Sequence, residues 1–574
     1  MLRFILLLAL ATHVSAQETM IREVFDPVTD THVEVLALFS VPSPSGFFPV
    51  RVKVANNLKA DSRIRLGFES KPDYKDNLQA ISSFTLDTPA GKTATRDIMV
   101  PLSPSGGYSS GSSVSVNLSG SLGMANNTIR SSIDDKQPSV LLSEALFTPN
   151  ASLLDSEISS KFSGSSRGSI EFAAKFDPKQ LPDDWLAFSG YDSVILTDGD
   201  WTSIPPGGRN AILSWVRMGG QLVIYASTAA TAASLDLPAE AGYGSLTIER
   251  IPSDLKLDAP KVVKLVTKNP TKPMQVSTAG DFQGAWPLQQ LFGEQTFRYG
   301  LFVIVLIIFA ILVGPVNLFV FAKAGERHKL FITTPIISLA ASLVLIALII
   351  TQDGFGGNGM RRILMEVRPD AGVNAAYIHQ EQFCRTGMLT GSDFTLSPPA
   401  LLQPVAISTS RWARFTSGDG SKGNFHLQPD DGKLQASGDW FQSRSEHGHV
   451  LATVISTRGR IEKTETPGSF LSTFEFPIDT LYYQDEAKQW FRADGITAGK
   501  KFTPTPVDFS MAFPALTQES EAFAGRNREF LKNAIQRPSH FIAITNQSPG
   551  IETNPGIKWK ETHTVITGPV IGKF

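Results

Sequence analysis

The sequence predicts a multidomain α+β membrane protein: an N-terminal β-sandwich, an α/β domain with a parallel sheet, a two-helix transmembrane hairpin and a C-terminal, mostly β domain. Three observations predict it. Two uncharged apolar runs of membrane-spanning length interrupt the chain. Short alternating or apolar runs, punctuated by Gly, Pro, Asn and Ser, dominate the first part and the last part. Between the first part and the hairpin, the pattern changes to strand–helix–strand. Length agrees, because 574 residues exceed one compact domain. Charged residues are 18% of the chain, below the roughly 25% of soluble domains, which fits membrane segments or Ser/Thr/Gly-rich β-structure.

The charge balance excludes some partners. Lys plus Arg is 52 and Asp plus Glu is 54, a net charge of -2. No global basic surface exists to hold nucleic acid, so none is expected as a partner. Cys384 is the only cysteine. This excludes an internal disulfide and a cysteine-ligated zinc or iron–sulfur site, and no cofactor is expected.

Residues 1–16 read as an export signal. Arg3 is the positive end, residues 4–11 form an apolar run too short to span a bilayer, and Val14-Ser15-Ala16 suits cleavage before Gln17. Residues 299–322 and 330–351 carry no charge. At about 1.5 Å per residue each crosses a hydrocarbon core of about 30 Å. The loop 323–329 holds Lys323, Arg327 and Lys329, which places it on the cytoplasmic side. The signal and the loop agree on both large parts being extracytoplasmic. Pro315 should kink the first helix, and Asn317 should bond within the hairpin or to another helix.

Residues 17–130 read as a β-sandwich of immunoglobulin-like architecture. Strand candidates lie at 33–39, 51–54, 63–68 and 114–118. Residues 136–275 read as the α/β domain. Strands are expected at 139–142, 169–174, 191–197 and 221–226. A helix opens at Pro205-Pro206, buries Ile212, Trp215 and Val216, and ends at Gly219-Gly220. Tyr191-Asp-Ser-Val-Ile-Leu-Thr-Asp198, that helix, and Trp215-Val-Arg-Met-Gly-Gly-Gln-Leu-Val-Ile-Tyr-Ala-Ser227 resemble the class I glutamine amidotransferase-like fold. The resemblance covers about 50 residues strongly and the domain loosely. In that family a strand after a Gly-Gly ends in an elbow bearing a catalytic cysteine, with a histidine further on. Here the elbow is Tyr225-Ala226-Ser227, and residues 33–327 contain neither histidine nor cysteine. The resemblance therefore implies the fold without a Cys–His dyad.

Open α/β sheets bind ligands beyond the carboxyl ends of their strands. Asp198, Asp200, Ser227 and Thr228 should share that rim and form the candidate ligand crevice. The competing reading makes Asp198-Gly199-Asp200 a turn capped by its own aspartates. Ser227 has no histidine to serve as a base.

Residues 353–359 read as a flexible linker. Residues 360–574 read as the β-rich domain, with strands expected at 362–368, 393–396, 423–428, 449–455, 540–545 and 563–566 and a helix at 518–536. His447-Gly448-His449 would put two rings on one face of a strand, as a metal pair needs. The alternative is two surface histidines flanking a turn. Cys384 reads as a small buried hydrophobe. Asn117, Asn126, Asn150 and Asn546 begin glycosylation-type sequons.

The layout of signal, β-module, cysteine-less amidotransferase-like domain, hairpin and β-rich tail resembles bacterial envelope membrane proteins. The expectation is a non-catalytic binding or scaffold module of the periplasmic face, anchored in the cytoplasmic membrane, with the lipid bilayer and a membrane or envelope protein as partners. The alternatives are an accessory subunit of a transporter, or an exported hydrolase or transferase using Asp198 and Asp200.

Overall fold

The computed structural model describes residues 18–72, 78–104, 111–133, 137–162, 170–267, 282, 286–293, 299–323, 325–369, 374–407, 409–416, 422–430 and 432–572. The expected signal segment lies outside the described residues. The chain is mixed α/β with several sheets and two helices long and apolar enough to cross a membrane.

The first sheet is antiparallel, in the order Glu18–Asp26, Thr31–Ala37, Phe47–Asn56, Lys92–Pro101. Ser62–Pro72, Leu78–Thr88, Ser112–Gly120 and Ala125–Ser131 build most of the second. Strict alternation in Ser62–Pro72 puts Ile64, Leu66 and Phe68 on the buried face, where they share one core with Val33, Val35, Val50 and Val52 of the first sheet. The second sheet does not end with the N-terminal residues. Gly423–Asp430 pairs in parallel with Leu78–Thr88, and Lys433–Gly438 and Phe394–Leu396 follow it outward. The Gln79 amide donates to Asn424 Oδ1 at 2.6 Å, and the Ser83 N–H donates to Gln428 Oε1 at 2.9 Å. Chain from both sides of the hairpin thus completes one sheet.

Five parallel strands form the α/β region, in the order Ala173–Phe176, Val140–Ser143, Ser193–Thr197, Gln221–Ala226, Ser245–Arg250. The strand expected at 169–174 starts at Ala173, and residues 163–169 lie outside the described residues. The helix Pro206–Arg217 buries Ile212, Trp215 and Val216 and stops before Gly219, at φ 112°. Asp198–Gly199–Asp200, expected as a turn, opens the short helix Asp198–Ser203 instead.

The fourth sheet holds twelve strands among the described residues, centred on Gly357–Arg368, Ala375–Thr386 and Ile557–Ile571. The linker expected at 353–359 is not a linker. The strand Gly357–Arg368 begins inside it, the Gly356 N–H donates to Met388 O at 2.8 Å, and the Met388 N–H donates to Gly354 O at 2.9 Å. Three residues therefore join the second apolar helix to the sheet. The late helix expected at 518–536 is two helices, Phe509–Glu521 and Gly525–Ile535, packed on each other.

The parts expected as separate exported domains share their cores. Phe47 and Leu78, Leu186 and Met218, and Tyr377 and Leu451 belong to one buried cluster. Tyr243 stacks on Phe530 at 4.8 Å in another.

The first apolar helix is α-helical over Tyr299–Ile311 and widens to a π-helix over Leu312–Phe321, around Pro315. Proline removes a donor, and a wider turn absorbs the loss. The Asn317 amide donates to Thr334 Oγ1 of the second helix, Leu330–Asp353, at 2.9 Å. Asn317 therefore joins the hairpin to itself. Most of the apolar surface of both helices is exposed, as lipid-facing helices require and soluble core helices do not.

Candidate functional site

The parallel register sets Thr197 beside Tyr225, so the residues after these strands share one rim. The structure brings Asp198 to Ser227. Asp198 Oδ2 accepts from the Ser227 N–H at 2.8 Å and from its Oγ–H at 2.7 Å, and Oδ1 accepts from the Gly199 N–H at 2.8 Å. Burial would raise the Asp198 carboxyl, but these three donors outweigh it and hold it below the usual carboxylate range. Such a carboxylate is a weak base, and the serine hydroxyl already points at it.

Asp200 is committed elsewhere. It forms a capping box with Thr197: the Thr197 N–H donates to Asp200 Oδ2 and the Asp200 N–H donates to Thr197 Oγ1, both at 3.0 Å. The Ser143 hydroxyl donates to the same Oδ2 at 2.6 Å. That bond spans the carboxyl ends of Val140–Ser143 and Ser193–Thr197, the pair of strands where the chain order reverses and a ligand would lie. Thr228 is the N-cap of Ala229–Ala233 and accepts from the Thr231 N–H at 3.0 Å. All four residues meet at one rim, and each is occupied by its own chain. Asp200→Ala should cost about 1 kcal/mol through the lost cap. Thermal unfolding of the variant checks this, and no shift would remove the cap from the account.

The histidines differ from both readings of the sequence. His447 and His449 do share one side of a strand, Glu446–Ser456, with rings parallel and 6.1 Å apart. They are buried, not at the surface. His447 Nε2 accepts from the Gln442 N–H at 2.9 Å, and His449 Nε2 lies 2.9 Å from Trp440 O. Burial pushes them down to about 4 and about 3. Among the described residues, no group of three or more metal-ligating side chains is assembled. Asn150 is likewise buried, donating to Leu146 O and Leu255 O, so its sequon has no accessible amide. Cys384 is buried, and burial pushes its thiol up.

The least conventional ionisable group escaped the sequence reading. Glu381 lies in the middle of Ala375–Thr386, fully enclosed. It accepts from Trp286 Nε1–H at 2.9 Å, from the Asn527 amide at 2.8 Å and from the Ala524 N–H at 3.1 Å. Burial raises it to about 7 against the pull of these donors and of Arg528. The run His379-Gln380-Glu381-Gln382 between apolar neighbours was the available signal. Trp286 caps the start of the short helix Pro287–Phe292. Arg385 donates to Gly293 O at 2.9 Å and lies over the Phe292 ring. Glu381 thus ties Trp286 and the start of Gly525–Ile535 to the strand Ala375–Thr386.

No protein-family model matches the chain, and no curated protein matches it. Among the solved structures with partial likeness to the chain are these three. One is a cycloisomaltooligosaccharide glucanotransferase of Paenibacillus sp., 12% identical, TM-score 0.17, covering 33% of this chain and 27% of that one. Another is a β-glucuronidase of Bacteroides uniformis, 10% identical, TM-score 0.15, covering 38% and 24%. The third is the yeast delta-COP-I mu-homology domain, 8% identical, TM-score 0.15, covering 38% and 98%. The chain spans about a quarter of the length of the first two, and likeness at this level assigns neither fold family nor activity.

Proposed function

We propose that the protein is a membrane-anchored scaffold or binding module of the cell envelope. Its body stands on the extracytoplasmic face of the cytoplasmic membrane and engages a membrane or envelope protein. One observation carries this reading: Gly423–Asp430, after the hairpin, pairs with Leu78–Thr88, before it. A shared sheet supports both segments lying on one side, with the hairpin going in and returning. The short loop carrying Lys323, Arg327 and Lys329 favours the cytoplasm for the opposite side. Engagement of Asp200 and Thr228 in helix caps and of Asp198 with Ser227 favours binding by the body's surface over catalysis at the rim.

The orientation has a clean test, because the sole cysteine is buried. Val28, 93% exposed in a turn of the body, and Glu326 in the loop are replaced singly by cysteine. A membrane-impermeant maleimide should label Val28→Cys in intact spheroplasts, and Glu326→Cys only after permeabilisation. The reverse pattern sinks the orientation. Purification of the tagged full-length chain from mild-detergent membranes, followed by mass spectrometry, should return a stoichiometric membrane or envelope partner. A pure homo-oligomer would remove the scaffold reading.

A further inference from the structure

Strand register gathers one end of the twelve-stranded sheet at the roots of the two apolar helices. Gly357, the first residue of its strand, lies between Thr386 and Ile557. Gly354, three residues earlier, caps the second apolar helix. The short helix Pro287–Phe292 packs on the same strands, with Phe292 5.3 Å from Phe383, and the first apolar helix starts at Tyr299.

Three side chains at this end leave apolar surface in the open. Phe355 is 70% exposed, Leu291 54% and Met388 36%. The backbone under two of them is pinned. Phe355 forms a bridge with Met388, whose N–H donates to Gly354 O at 2.9 Å, and the Gly387 N–H donates to Gly356 O at 2.7 Å. Exposed apolar side chains are ordinary when scattered singly; several at one end of a body mark a surface that something covers.

The same end carries unmatched positive charge. Lys558 and Lys560 open the strand Ile557–Ile571 and are exposed. Lys560 Nζ lies 5.8 Å from the Phe292 ring, which Arg385 also covers at 5.1 Å. The neighbouring carboxylates are already paired. Glu561 meets Arg362 at 3.0 Å, Glu446 meets Arg385 at 2.6 Å, and Glu552 meets Arg361 at 2.9 Å. Lys558 and Lys560 make no ion pair among the described residues.

We propose that this end of the sheet binds anionic phospholipid headgroups of the leaflet from which the hairpin emerges. Such binding requires the two apolar helices to lie in the bilayer, and so rests on the membrane reading above. The second uncharged run ends at Thr351, and Phe355 follows four residues later. The headgroup layer beyond the hydrocarbon is about 5–8 Å deep on each side, so the ring falls within it. A protein partner could cover apolar side chains anywhere on the body. These stand where the chain enters and leaves the apolar helices, beside lysines that suit phosphate.

The test uses the full-length protein. In a neutral detergent it is titrated with phosphatidylglycerol and, separately, with phosphatidylcholine, and retained lipid is counted by native mass spectrometry. A lysine at a charged leaflet strengthens binding about fivefold, so phosphatidylglycerol should be held at least about tenfold more tightly. Lys558→Gln with Lys560→Gln should bring both lipids to one level with the unfolding temperature unchanged. A nitroxide on Phe355→Cys, in liposomes of the two lipids, should be relaxed more by oxygen than by a water-soluble nickel complex, and one on Val28→Cys the reverse. Equal affinity for the two lipids, a double variant that binds as the parent does, or a label at 355 that meets nickel as the label at 28 does overturns the proposal. If the chain stays in carbonate-washed membranes, such a result overturns this proposal alone; release by carbonate overturns it together with the membrane reading.

Discussion

Replacing Glu381 by alanine should destabilise the body by about 3 kcal/mol at pH 5. The carboxyl is enclosed and receives the indole of Trp286, the amide of Asn527 and the N–H of Ala524. Alanine leaves all three donors buried without an acceptor and opens a gap among Phe282, Phe383 and Leu288. The sign of the pH dependence follows from the raised carboxyl. Between the ordinary 4.5 and about 7, the folded state keeps a proton that the unfolded state has released. The contribution of Glu381 to stability therefore falls as pH rises through that window, by about 3 kcal/mol in all, against the opposite slope of the buried His447 and His449, and is level above it. Glu381→Gln should remove this slope. Denaturant unfolding of parent and variant in detergent at pH 4.5, 6 and 8 decides the matter. Equal slopes in the two proteins would show that Glu381 does not titrate there.

Local pattern carried much of this architecture. Alternation in residues 63–68 and 114–118 places strands within Ser62–Pro72 and Ser112–Gly120, because burial of one face requires period two. The pair Gly219-Gly220 marks the end of Pro206–Arg217, because its left-handed stop suits glycine. Two long uncharged runs are legible wherever they occur. What escaped was non-local. Nothing in residues 423–428 indicates that their partner is Leu78 and not a sequence neighbour. The pairing depends on register and on cores assembled across the chain, to which Phe47, Met218 and Tyr377 contribute together. At the candidate site, residue types placed Asp198 and Ser227 on one rim, but their mutual hydrogen bonds depend on parallel strand register. The buried state of His447, His449 and Glu381 was illegible for a related reason. A polar residue reads as exposed until the partners that satisfy it are known.

Alanine in place of Glu366 should destabilise the folded body by about 3–5 kcal/mol, the largest single effect expected here. Glu366 is fully buried, and its Oε1 is 2.8 Å from Arg368 Nη2 and 3.0 Å from Arg537 Nη1. Arg368 also reaches Glu240 Oε2 at 2.6 Å, and Arg537 donates to Gly242 O. Glu240 and Gly242 belong to the α/β region before the hairpin, and the other members follow it. Removing this buried carboxylate leaves Arg368 with only the half-exposed Glu240 and Arg537 with only the Gly242 carbonyl at this junction. Removing a second member should then cost little more: Glu366→Ala with Arg368→Ala should fall well short of the sum of the single changes. The His540 ring, 3.3 Å away and opposed by partial burial, together with Arg368, holds Glu240 down to about 2. Its contribution is present above about 4.5 and is lost as pH falls toward 2, and because Glu240 is half exposed, solvent screening keeps it small. If the network is what makes one body of two chain segments, Glu366→Ala should also split a single calorimetric transition into two. A variant that melts in one transition at the parent's temperature would show instead that the shared sheet and cores suffice alone.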